Sequence, residues 1–257
     1  VAAEHFDLRM RLATGEPFLF SWMSMPSAAL AAQVARLPFD GVCLDMQHGM
    51  IGFTDAVPMI ANINAAGKPA IVRALWNDPA TPGQAFDAGA VSVISPMVNT
   101  RAQAEALVRA AKYPPMGARS WGGYTAQQAS GLSSSEYLRE ANRMTMVFSM
   151  VETVEALENL EEIAATPGLD GLFVGPSDLS ITLTRGAKVD KLGKDTLDAM
   201  RRVSDAAKRN GLVAGAFGGS AEVISTYQSL GFTFLAAAVD VDLLHWGAAS
   251  LRKSLEV

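Results

Sequence analysis

The sequence contains a single cysteine, Cys43, and only three histidines in 257 residues. One cysteine excludes an internal disulfide framework and any cysteine-based zinc cluster, and it suits a reducing cytoplasm. No uninterrupted apolar run reaches the roughly 18 residues that a membrane-spanning helix needs. The start of the chain carries Glu4, His5, Asp7, Arg9 and Arg11 and does not read as a signal peptide. Basic runs are missing too. With 26 Asp and Glu against 21 Lys and Arg, a formal net charge of −5 leaves no footprint for nucleic acid or an anionic membrane. Charge is sparse overall, 18% against 49% hydrophobic residues, which is far too apolar for disorder. Residues 21–27, after the first strand candidate, hold no glycine, so the Gly-rich fingerprint of a doubly wound dinucleotide fold is lacking. What remains is an enzyme-sized cytoplasmic α/β chain.

Short apolar runs alternate with stretches of helical period. The strand candidates are 17–22, 41–45, 69–74, 91–96, 145–152, 170–174, 212–217 and 232–238. Between them fall helix candidates at 27–36, 54–65, 79–88, 100–112, 154–165, 194–209, 220–230 and 240–252. The strand runs are continuously apolar, as expected where both faces are covered. Eight β-then-α units in about 250 residues is the count of a (β/α)₈ barrel, and residues 1–257 are read as one such domain. Two additions are expected: an amphipathic helix over 4–14 that closes the barrel floor, and an insertion over 114–143 that serves as a partner surface or a lid.

Barrel active sites are built where the strands end. There the sequence places Asp45, Gln47 and His48 after strand two, Arg73 at strand three, Glu152 at strand five, and Gly175-Pro176-Ser177-Asp178 after strand six. Glu152 and Asp178 have two readings. As carboxylates on neighbouring strand ends they can hold Mg²⁺ or Mn²⁺, with water and substrate oxygens completing the shell. As ordinary polar residues before helices they can be caps. The N–H groups of Ser177 and Asp178, opening a helix, also offer an anion site for a substrate carboxylate.

His48 is the one histidine near the rim, since His5 falls in the N-terminal helix and His245 in the last. Asp45, three residues earlier, can orient its imidazole as a general base, although a lone histidine is more often structural. Arg73 would be costly if buried without an anion, and it can hold an oxygen on which charge develops or simply pair with Asp45 or Glu152. Trp22 ends the first strand and Phe217 the seventh; both are placed beside substrate. Cys43 reads as an inert core thiol. None of the seven lysines (68, 112, 188, 191, 194, 208 and 253) falls in a strand run, which leaves no candidate for a Schiff base.

The segments Asp45-Met46-Gln47-His48-Gly49, Val72-Arg73, Val151-Glu152 and the run from Pro167 to Ser180, with its Gly175-Pro176-Ser177-Asp178-Leu179, resemble the HpcH/HpaI family of metal-dependent, class II pyruvate aldolases. The resemblance covers residues 17–250. It implies reversible aldol addition and cleavage between pyruvate, or a related 2-oxo acid such as hydroxypyruvate, and an aldehyde. It also implies a divalent metal (Mg²⁺, Mn²⁺ or Co²⁺) on Glu152 and Asp178, with Arg73, His48 and Asp45 as enolate stabiliser, base and orienting acid. A hexamer built as a dimer of trimers is implied as well, with the last helix exchanged and Asp87 reaching a neighbour's site. Two positions depart from many members: Gln47 replaces Glu, and Met150 replaces Gln. Met150 points the same way as Glu152, and a thioether cannot donate the hydrogen bond of an amide, which argues against the usual bulky diacid-derived substrate. Two other functions stay open. One is an acyl-CoA carbon–carbon lyase, for which Arg119 and Arg185 are the obvious phosphate partners. The other is a silent subunit that binds a 2-oxo acid without turning it over.

Overall fold

The computed structural model describes residues 6–255. Its strands are β1 (Phe18–Met23), β2 (Gly41–Asp45), β3 (Ala70–Arg73), β4 (Ser92–Ser95), β5 (Met146–Met150), β6 (Gly171–Val174), β7 (Val213–Phe217) and β8 (Phe234–Val239). All pair in parallel and in sequence order, and β8 closes on β1. This is the (β/α)₈ barrel that the alternation predicts. The helices are α1 (Leu8–Ala13), α2 (Ala28–Val34), α3 (Phe53–Ala65), α4 (Thr81–Asp87), α5 (Arg101–Ala111), α6 (Tyr124–Ser130), α7 (Ser134–Met144), α8 (Val154–Glu158), α9 (Leu160–Ala164), α10 (Pro176–Leu183), α11 (Lys194–Arg209), α12 (Ala221–Ser229) and α13 (Asp240–Ser254). None of them is long and apolar enough to cross a membrane.

The strands look uniformly apolar because they serve two cores at once. Val42, Leu44, Ala70, Val72, Val147, Leu172 and Val174 pack outward against the helices. Their strand neighbours Cys43, Ile71, Phe148 and Phe173 fill the barrel interior with Phe20 and Phe234. This is the two-residue period of a pleated strand sorted onto two buried faces. Large rings are matched by missing side chains: a Cβ at Gly171 would lie 2.2 Å from the Phe148 ring. Above this plug the inward column of each strand ends at the rim, and the register there pairs Asp45 with Arg73.

Three expectations need correction. The single helix at 154–165 is two, α8 and α9, broken at Asn159, whose side-chain amide donates to the Asn99 carbonyl at 2.9 Å. The N-terminal helix begins at Leu8; the expected start at residue 4, and His5 with it, lie outside the described residues. The insertion is not a lid over its own rim. Helices α4 and α5 start where β3 and β4 end and run back to the opposite face, so the chain from Lys112 to Met144 lies at the floor. There α7 packs with α1, α6 packs with α4 and α7, and Arg119 reaches Asp87 at 2.5 Å.

The floor is fastened by one carboxylate. Asp170 accepts from Arg9 of α1 at 2.6 Å, from Lys112 after α5 at 2.8 Å and from the Val147 N–H at 2.8 Å. Lys112 is wholly buried, and its remaining donors reach the Thr145 and Asn142 carbonyls. Burial pulls the Lys112 pKa down, against the charge of Asp170.

Candidate active site at the barrel rim

Asp45 is the hub. Its carboxylate, in a residue only 3% exposed, accepts Arg73 Nε at 2.8 Å and Arg73 Nη2 at 2.5 Å, a two-point fork made possible by the β2–β3 register. It also accepts the Trp22 indole N–H at 3.1 Å and the backbone N–H groups of Gln47 and His48 at 3.0 and 3.2 Å. Burial works to raise the Asp45 carboxyl, but the hydrogen bonds and charge of Arg73, with the indole and the His48 amide, outweigh it and hold the pKa below its ordinary value. Asp45 therefore meets His48 through the main chain: it shapes the 45–49 loop and does not grip the imidazole as the spacing suggested. The loop is tight enough to demand Gly49, where a Cβ would lie 2.2 Å from the Asp45 carbonyl.

Arg73 is held from a third side by the Trp22 ring, 4.9 Å from its guanidinium carbon. With Nε and Nη2 committed to Asp45, Nη1 is left for an oxygen in the cavity. That cavity, of about 180 Å³, is lined by Trp22, His48, Arg73, Met150, Phe173, Gly175, Pro176, Ser177, Asp178 and Phe217. One wall is aromatic: Phe217 meets Trp22 edge-on at 5.3 Å, and Trp22 lies over Phe173. The opposite wall is the start of α10, where the N–H groups of the first turn have no intrahelical partner. A roomier cavity of about 260 Å³ lies between α4 and α5, but its one carboxylate, Asp78, is spent on the Ala80 N–H and the Thr81 hydroxyl.

Glu152 is buried at the foot of this cavity. Oε1 accepts the Met97 N–H at 2.8 Å, and Oε2 lies 2.2 Å from where a Gly175 Cβ would stand, so only glycine leaves it room. Neither carboxylate is a helix cap. Thr153 caps α8 and Gly175 caps α10, with Asp178 inside the first turn. Burial pushes the Glu152 pKa up to about 7, and the Asp178 charge adds to this, against the Met97 N–H and Arg73. A divalent cation beside both carboxylates would relieve that penalty, so the donor set fits one. Among the described residues no third carboxylate, histidine or cysteine joins them, which leaves further positions to water and substrate oxygens.

The sequence matches the HpcH/HpaI aldolase/citrate lyase family over residues 19–245. The chain belongs to that family. A hydroxypyruvate/pyruvate aldolase of Rhizorhabdus wittichii is 38% identical over 230 residues, 90% of this chain and 90% of that protein. A 4-hydroxy-2-oxo-heptane-1,7-dioate aldolase of Klebsiella pneumoniae is 31% identical over 242 residues, 93% of this chain and 90% of that protein. A solved HpcH/HpaI aldolase/citrate lyase family protein from Burkholderia cenocepacia superposes with a TM-score of 0.88 at 32% identity, covering 98% of this chain and 99% of that one. This chain is accordingly a carbon–carbon lyase of the aldolase type.

Within this aldolase barrel the expected residues separate into groups. Trp22, His48, Arg73, Gly175, Ser177, Asp178 and Phe217 border the cavity; Asp45 and Glu152 back it. Gln47 does not border it, and its amide Oε1 is buried without a hydrogen-bond donor. Asp87 lies at the floor, bonded to Arg119. Arg119, its side chain 2% exposed, is thereby lost as one of the two cations that an acyl-CoA reading needed. Cys43 is buried, and desolvation raises its thiol well above the ordinary value, so it is inert as expected. Sequence reasoning missed Phe173 and Met97. Phe173 was recoverable, because it stands two residues before Gly175 on the same inward column. Met97 acts through its backbone, which no side-chain pattern announces.

Proposed function

We propose that the protein catalyses reversible aldol addition and cleavage between pyruvate or hydroxypyruvate and an aldehyde. The observation that carries this reading is the Asp45–Arg73 fork standing across one cavity from the Glu152 and Asp178 carboxylates. In this scheme the N–H groups of Ser177 and Asp178 hold the carboxylate of the 2-oxo acid. Glu152 and Asp178 hold the divalent metal, Mg²⁺, Mn²⁺ or Co²⁺, which when bound supplies Lewis acidity toward the keto oxygen. Arg73, its fork fixed by Asp45 and its face by Trp22, donates to that oxygen as negative charge develops on it. His48, exposed at the rim, moves the C3 proton. The aldehyde lies along Trp22 and Phe217, against an apolar wall to which Met150 contributes a thioether.

The unit that does this is one domain spanning residues 1–257, working as a cytoplasmic hexamer, a dimer of trimers. The lone, buried cysteine supports a reducing compartment. Assembly is supported by α13, which exposes Leu244, Trp246 and Leu251 beside a groove lined by Leu30, Val34, Leu37 and Leu243. In that assembly Asp87, remote from the rim of its own barrel, contributes to a neighbour's site.

The test is exchange of the C3 protons of pyruvate for deuterium in the presence of Mn²⁺, followed by a donor and acceptor screen read by product mass. Exchange and a new aldol product are expected. Binding of pyruvate by calorimetry without any exchange would instead identify a silent 2-oxo acid binding subunit.

A further inference from the structure

Among the described residues three that are not glycine hold a positive φ: Asn77, Arg185 and Met97, the last at 56°. The left-handed region costs an ordinary side chain about 1 kcal/mol or more, and such residues gather where a function requires the geometry. Asn77 and Arg185 stand in loops outside the catalytic cavity, and asparagine tolerates the conformation. Met97 has neither excuse. It lies two residues past the end of β4, and its side chain is only half-buried against the cavity between α4 and α5, so packing in the core does not compel the strained backbone.

The hydrogen bonds supply the reason. The Met97 N–H donates to Glu152 Oε1 at 2.8 Å, and the next amide, Val98 N–H, donates to the Met150 carbonyl at 3.3 Å. Two successive amides on either side of the left-handed Met97 Cα thus face the end of β5. The Val98 bond anchors the loop to β5, and the left-handed turn at Met97 then lets the preceding amide reach the carboxylate two residues further on. One lone pair of Glu152 Oε1 is thereby engaged, which fixes the plane of the carboxylate. The other oxygen, Oε2, is directed at Gly175 and the cavity.

We infer that Met97 is a positioning residue whose backbone amide fixes the orientation of Glu152 and so turns its other oxygen, Oε2, toward a cation. The inference rests on the proposed metal role of Glu152. The side chain at 97 matters only through the backbone it tolerates, so substitutions should rank by left-handed tolerance and not by resemblance to methionine.

The experiment is titration of the metal-free protein with Mn²⁺, read by electron paramagnetic resonance, with thermal melting alongside. Met97→Asn, which discards the thioether but tolerates positive φ, should bind Mn²⁺ at least as tightly as the wild type. Met97→Thr, β-branched and averse to that region, should bind about tenfold more weakly, the order seen when an outer partner of a metal ligand is lost. Equal affinity in a folded Met97→Thr variant would overturn the inference. So would weaker binding in Met97→Asn at an unchanged melting temperature, and this arm decides the matter if Met97→Thr does not fold. Failure of the underlying reading looks different: wild-type protein would then bind no Mn²⁺, or Glu152→Ala would bind it normally.

Discussion

Arg73 and Asp45 meet as partners in the β2–β3 register, two nitrogens on two oxygens, with the Trp22 indole donating to the carboxylate and covering the guanidinium. A charge pair this buried is costly to break from one side, because the remaining partner keeps its desolvation penalty. Arg73→Lys keeps the charge but loses the planar fork, so it can serve Asp45 or the cavity and not both. It should lose most aldol activity, about a hundredfold or more by analogy with loss of one preorganised donor, while still folding. Near-normal turnover would leave Arg73 with a structural role alone.

The same pair sets an acid limb of stability. The Asp45 pKa is depressed in the folded protein, so its contribution is complete above the ordinary carboxyl value of about 3.9 and is lost as pH falls through the depressed one. Asp45→Asn should cost about 3 kcal/mol at pH 7, since Arg73 is then left unpaired. The gap to wild type should narrow below about pH 4, where the Asp45 carboxyl takes up a proton in the unfolded chain while the folded one still resists it. Melting temperatures across pH 3–7 measure this. A gap that stays constant would show that the carboxylate charge is not what stabilises the pair.

His48 makes its hydrogen bond to Asp45 through the backbone, and its side chain is exposed. His48→Ala should therefore leave the melting temperature and Mn²⁺ binding near wild type while abolishing deuterium exchange at C3 of pyruvate. Retained exchange would remove the imidazole from proton transfer.

Most of the barrel could be read from eight apolar runs, and most of the site from the polar residues that end them. Strands such as β4 and β5 proved shorter than their runs because residues such as Pro96 and Glu152 leave the ladder to form the rim. The sequence could not say whether Glu152 caps the helix after it; the structure gives that place to Thr153. Nor could the spacing of Asp45 and His48 reveal that main chain, not imidazole, joins them. The insertion at 114–143 was visible, but its side of the barrel was not. That followed only once α5 was seen to run to the floor.

Chelation tests the metal directly. The barrel core is apolar and closes without help from the rim, so a chelator should abolish aldol activity with little change in circular dichroism, and Mg²⁺, Mn²⁺ or Co²⁺ should restore it. Glu152→Ala and Asp178→Ala should resist that rescue. Borohydride with pyruvate should leave no adduct, because no lysine lines the cavity and the buried one, Lys112, sits at the floor on Asp170. Full activity after thorough chelation would refute the metal reading.

The floor gives a prediction in which stability and activity part company. Asp170→Ala strands Lys112, which is 0% exposed and whose pKa burial already lowers, and also releases Arg9 and with it α1. Removing one partner of such a pair costs about 3–5 kcal/mol. Lys112→Met is a different perturbation: it removes the buried charge itself and leaves Asp170 with Arg9 and the Val147 N–H, at the loss of two bonds to carbonyls. It should therefore cost clearly less, about 1–2 kcal/mol. Both variants, assayed well below their melting temperatures, should keep wild-type kcat/KM per folded molecule, because the network lies at the end of the barrel away from Arg73 and His48. Urea unfolding and steady-state kinetics on the same preparations measure the two effects. If Lys112→Met proved the more damaging of the two, Lys112 itself, and not Asp170, would be the residue that fastens the floor.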